Sequence, residues 1–116
     1  MNVEEFRVYC LAKEGVTEEF PFDETTLVFK VAGKIFAITG LDDLEFKVNL
    51  KCDPERSELL REEYESIRPG WHMNKRHWNT VHVDGSFPDR LFIELIDHSY
   101  DLVVQGLPRK LRDQFR

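Results

Sequence analysis

The chain is poor in the residues that stitch small proteins together. It has two cysteines, Cys10 and Cys52, in 116 residues. That is too few for a disulfide framework, and the two do not make a metal-binding pair, so both read as reduced thiols of a cytoplasmic protein. No apolar run approaches the roughly 20 residues of a membrane helix, so no membrane partner is expected. The opening residues, Met1 to Glu5, have neither the basic region nor the apolar core of a secretory signal. No repeat and no low-complexity segment occurs. Basic residues are also scarce: 16 Lys and Arg stand against 22 Asp and Glu, a formal charge of −6, which argues against a general nucleic-acid coat.

What is present suffices for one folded domain spanning 1–116. The chain is 41% hydrophobic and 33% charged, too apolar for a disordered polymer. The charge is unevenly placed. Residues 1–29 carry seven acids and two bases, whereas residues 68–83 carry Arg68, Lys75 and Arg76 with no acid. The tail adds Arg109, Lys110, Arg112 and Arg116 against Asp113. A polarised surface is compatible with this distribution.

Periodicity predicts the elements. Asn2 is an N-cap and Glu4 and Glu5 lie in the first turn of a helix over 2–14, with Cys10 on its buried face. Residues 16–22 form a connector that Pro21 keeps from being helical, with Phe20 and Phe22 expected to pin it to the core. Residues 26–31 and 34–39 form a hairpin around Gly33. Residues 44–51 alternate, which puts Leu44, Phe46, Val48 and Leu50 on one buried face. Asp53-Pro54 starts a second helix, running to about Ile67. A strand over 77–83 follows, then the Asp84-Gly85 turn, a third helix from Pro88 to Gln105, and an amphipathic basic tail with Leu107, Leu111 and Phe115 at helical spacing. This order gives an α+β fold: a two-layer arrangement of an antiparallel β-sheet with helices packed on one face.

The segment from Arg68 to Gly85 is the candidate site. It holds both tryptophans and three of the four histidines. Trp78 reads as a structural anchor, as do Trp71 and, in the third helix, Tyr100, whose hydroxyl is expected to bond a neighbouring loop. His72, Asn74, Lys75, Arg76, His77 and Asn79 can reach phosphates or base edges if they point outward; if they do not, they stabilise the turn. A metal centre is not expected, because His72, His77 and His82 recur every five residues, which alternates faces along a strand. Neither cysteine has an activating base nearby and neither Ser86 nor Ser99 lies in a nucleophile motif, so no catalytic residue is assigned.

Several motifs carry a family resemblance: Trp71-His72-Met73-Asn74-Lys75-Arg76-His77-Trp78-Asn79-Thr80-Val81, then Ser99-Tyr100-Asp101-Leu102-Val103 and Leu107-Pro108-Arg109-Lys110. Phe20-Pro21-Phe22, Gly33-Lys34-Ile35-Phe36-Ala37 and Leu50-Lys51-Cys52-Asp53-Pro54-Glu55 fit as well. Together they closely resemble the YjbR/MmcQ-like family of small bacterial proteins over nearly the whole chain. One departure is Pro69-Gly70-Trp71, where the family commonly has Pro-Ala-Tyr. The resemblance implies a frataxin-like α+β arrangement and a DNA-binding role through a double-wing surface; separately, no cofactor is expected. On that reading Lys34 tips the second wing, and Arg109 and Lys110 support the site. The alternative is a non-enzymatic protein- or small-ligand-binding domain in which the 71–79 segment lines a pocket. A monomer is expected in either case.

Overall fold

In the computed structural model, which describes residues 1–115, the first helix α1 (Val3–Leu11) starts at a reciprocal cap. The Glu5 amide donates to Asn2 Oδ1 at 2.8 Å, and the Asn2 amide donates to Glu5 Oε1 at 3.0 Å, so two orphan donors of the first turn are satisfied. Cys10 is buried on its inner face, as the sequence predicts. Gly15, at φ 73°, then turns the chain, and the Phe115 ring lies where a side chain there would stand.

Residues 16–22 are not a plain connector. Val16–Glu19 forms a strand, β1, pairing antiparallel with β2 (Thr26–Val31) in the register Val16↔Val31 to Glu19↔Val28. Phe20 and Phe22 do not anchor it to the core; both are exposed, Phe22 at 66%. β2 turns into β3 (Lys34–Gly40) through Ala32 and Gly33. Both turn residues have positive φ, the mirror-image turn whose twist matches a two-residue hairpin. β4 (Lys47–Lys51) begins three residues later than the alternation predicts. β3 ends at Gly40 and its pairing with β4 begins at Thr39↔Val48, so Leu44 has no strand opposite and is fully exposed. Phe46 is half-buried against Phe6 and Phe92 at centroid distances of 5.6 and 6.0 Å, while Val48 and Leu50 are buried.

Asp53 caps α2 (Pro54–Glu63), accepting from the Arg56 amide at 3.1 Å. The helix stops four residues before Ile67. Tyr64 is already extended, and Ile67–Pro69 forms a short strand, β5, against β6 (Trp78–His82). α3 (Asp89–Gln105) occupies the predicted span and buries Phe92, Leu95, Ile96, Ser99 and Val103. The tail forms α4 (Arg109–Arg112) and a 3-10 turn, Asp113–Phe115. Arg116, the last base of the tail, lies outside the described residues.

The six strands make one antiparallel sheet in the order β1-β2-β3-β4-β6-β5. Its register sorts side chains by face, because successive residues of a strand point to opposite sides. Phe29, Ala37, Leu50, Val48, Val81 and Ile67 share a face and belong to the main core with Phe6 of α1 and Phe92 and Ile96 of α3. Ser99 of α3 donates to the Phe36 carbonyl and accepts from the Lys51 amide, tying helix to sheet. The opposite face carries the row Val28, Ile38, Asn49 and Thr80. No helix among the described residues is long and apolar enough to cross a membrane.

Candidate ligand cleft on the sheet

The loop between β5 and β6 bends back over this second face. It turns at Gly70, where a Cβ would come within 2.9 Å of Trp78 Cβ and 3.0 Å of the Trp78 carbonyl oxygen. That approach lets the Gly70 amide donate to the Trp78 carbonyl at 2.9 Å. Trp71 is then fixed from below: its amide donates to Thr80 Oγ1 at 2.9 Å, and Thr80 in turn donates to Asn49 Oδ1. His72 follows at φ 58°, a left-handed conformation that a non-glycine residue holds only where its surroundings enforce it. Its ring meets the Trp71 ring edge-on at 4.7 Å.

The rest of the loop is held by its own polar groups. Asn74 Oδ1 accepts from the Arg76 and His77 amides at 2.9 and 3.3 Å, the self-bonding typical of an asparagine turn. Lys75 Nζ donates back to the Gly70 carbonyl at 2.9 Å. Arg61 reaches in from α2, donating to Asn79 Oδ1 at 2.8 Å, to the Lys75 carbonyl at 2.5 Å and to the Trp78 carbonyl at 3.2 Å. Asn79 completes the tie by donating to Ser57 Oγ at 3.2 Å.

Between loop and sheet lies a cavity of about 410 Å³. Ile38, Asn49 and Thr80 form its floor, and Trp71, His72 and Met73 one wall. Phe22 adds lining from the loop before β2, and Asp42, Asp43 and Lys47 stand at the Gly40 end. A concave site that mixes apolar walls with a limited set of polar groups is the usual form of a small-molecule site.

The sequence-predicted site residues therefore divide. His72 is on the cleft rim and exposed. Asn74, Lys75, Arg76 and His77 are exposed, but the Asn74 and Lys75 side chains also bond within the loop. Asn79 is not a surface contact: it is 2% exposed and hydrogen-bonded to Arg61 and Ser57. Trp71 is not a buried anchor either, being 67% exposed as a cleft wall. Trp78 is largely covered, pairs with Lys51 across the sheet, and borders a second groove with Lys34 and Gly106. Lys34 is exposed at the hairpin tip, and Arg109 and Lys110 are exposed on α4. Tyr100 donates from its hydroxyl to the Glu14 carbonyl at 2.7 Å, the predicted loop bond. Both thiols are free, and burial pushes Cys10 up to about 12 and raises Cys52 as well, so neither is an activated nucleophile.

Arg61 and Asn49 escaped the sequence reading, and Phe22 was expected in the core rather than at the cleft. Ser57 and Arg61 sit one helical turn apart beside buried Leu60, an i, i+4 pair that marks a polar contact on the inner face of an otherwise acidic helix. Asn49 carries no such signal, since its role depends on the register that brings Thr80 opposite.

Fold and loop together define a small α+β domain built on one antiparallel sheet with a cleft on its second face. The chain belongs to the YjbR family, whose model matches residues 11–102. It is 38% identical over 112 residues to the YjbR protein of Escherichia coli K12, covering 97% of this chain and 95% of that one. It is 44% identical over 98 residues to YbdF of Escherichia coli O157:H7, covering 84% and 78%. A crystal structure of a Deinococcus radiodurans protein with a DUF419 domain superposes with a TM-score of 0.92 at 40% identity, covering 98% of this chain and 87% of that one.

Proposed function

We propose that the domain is a non-enzymatic binding module that takes a small, partly apolar molecule in the cleft under Trp71. The observation that carries this reading is the exposed Trp71 ring, held by backbone hydrogen bonds over a cavity of about 410 Å³ rather than packed into the core. An aromatic left open to water gives the fold no burial of its own, so its apolar area is free to be covered by a bound molecule. The test is a fragment titration followed by amide NMR. Bound fragments should shift Ile38, Asn49, Trp71 and Thr80 together, and Trp71→Ala should weaken them about tenfold or more without lowering Tm. Fragments that map elsewhere, or that ignore Trp71→Ala, overturn the reading.

A second reading, DNA binding, is supported by the groove that Lys34 and Lys51 share with Trp78, with Arg76 exposed on the neighbouring loop. Hairpin and loop then act as two wings. The charge of −6 weighs against it. Contacts from three cations give a log–log salt slope of roughly −3, and Lys34→Ala with Arg76→Ala should flatten it by about two units. An unchanged slope removes these residues from any DNA contact.

A further inference from the structure

The cleft differs along its length. β3 runs through it from Ile35 to Gly40, a span of roughly 16 Å at about 3.3 Å per residue. Ile35 and Ile38 line the cleft from β3, while Phe36 and Ala37 between them belong to the main core, and Trp71 and Met73 add further apolar lining. The Gly40 end is charged, with Asp42, Asp43 and Lys47, and Phe22 stands beside them. None of these three charged side chains forms a hydrogen bond or ion pair with another described residue. Three other acids sit in ion pairs with a base, Glu18 with Arg7, Asp97 with Lys13 and Glu19 with Lys30; what sets Asp42 and Asp43 apart is that they line the cavity. The cleft end has two carboxylates against one ammonium.

From this gradient we infer that the ligand is an amphiphile with a primary ammonium head and an apolar body, lying along β3 with its head between Phe22, Asp42 and Asp43. The inference rests on the cleft reading above and adds the sign and direction of the ligand. The cavity and its aromatic walls make the site; the acids decide the charge it accepts. An ammonium gains from two carboxylates and from the face of Phe22, while the apolar body is left to Trp71. A carboxylate head meets two like charges and one lysine. A neutral head leaves the charges as they are. Lys47 opposes the ammonium, so its removal should help.

Hexylamine, hexanol and hexanoate make the comparison, titrated into the whole chain and followed by amide and indole NMR signals. Hexylamine should bind about tenfold tighter than hexanol, shifting the Trp71 indole and the Ile38 amide, with hexanoate weakest. Asp42→Asn with Asp43→Asn should bring the amine down to the alcohol and leave the alcohol unchanged, and Lys47→Met should tighten the amine. Equal binding of amine and alcohol at the cleft, or a preference for hexanoate that Lys47→Met abolishes, overturns the ammonium head and leaves the cleft reading standing. Amine binding that ignores Trp71→Ala overturns the placement. If none of the three binds while the wider fragment set still maps to the cleft, the ammonium inference falls alone; if that set also fails to reach the cleft, both fall.

Discussion

Arg61 is the residue on which the cleft wall depends. Its guanidinium satisfies the buried Asn79 side chain and two loop carbonyls at once, a use of several fixed donors that lysine cannot copy. Arg61→Met should cost about 1.5–3 kcal/mol, because it strands a buried amide oxygen as well as removing charged hydrogen bonds. Urea unfolding measures this, and a loss under about 0.5 kcal/mol would show that the loop stands without it. His98 makes a different prediction. Its Nε2 accepts from the Asp53 amide at 3.1 Å, at the start of α2. Burial and then the nearby Arg56 hold its pKa below the ordinary 6.5. The folded state thus resists protonation more than the unfolded chain does. The contribution is complete above about pH 6.5 and is lost as pH falls from there through the depressed folded value. Unfolding free energy measured from pH 7.5 to 5 should decline in the wild type, and His98→Gln should remove this part of the decline. A slope unchanged by the substitution would assign the acid sensitivity to other groups.

Among the elements, β4 shows how far alternation can be read. The pattern at Val48 and Leu50 is correct because strands pair on both sides there, Ala37↔Leu50 on one and Leu50↔Asn79 on the other. At Leu44 the same pattern continues in the chain but no partner continues beside it. Leu50→Ala should accordingly cost about 2–5 kcal/mol, and Leu44→Ser should change stability by less than about 0.5 kcal/mol. Comparable losses from both in chemical denaturation would refute this placement of the strand. The cap-and-proline signals were equally legible: Asp53-Pro54 starts α2, and α3 fills its predicted span. The two edge strands were not. Val16–Glu19 has one apolar residue and Ile67–Pro69 ends in proline; each is a strand only because a longer strand lies next to it, which local pattern cannot report. The site was half legible for the same reason. Trp71 and His72 stand out by composition, whereas the floor of Ile38, Asn49 and Thr80 exists only through the register of three strands.

For the whole molecule, the core is shared by α1, α3 and the sheet, with Phe6 against Phe29 at 5.4 Å and Phe92 at 5.8 Å. Cys10 and Cys52 both lie inside this cluster. A thiol reagent should therefore modify both only as fast as the molecule opens, with the rate rising with denaturant in step with unfolding. Rapid labelling of Cys10 in native buffer would contradict this. The way the cleft is assembled has a further consequence, in time rather than in space. Its floor joins positions far apart in the chain: Thr80 bonds Asn49 across 31 residues, and Asn49 Nδ2 reaches the Trp71 carbonyl across 22. Closing such spans is slower than winding a helix. Pulse-labelled hydrogen exchange during refolding should show amides of α3 protected before that of Trp71, and simultaneous protection would argue against this order. A chain emerging from synthesis thus acquires its helices first and the cleft last, so an incompletely folded copy has core elements but no cleft.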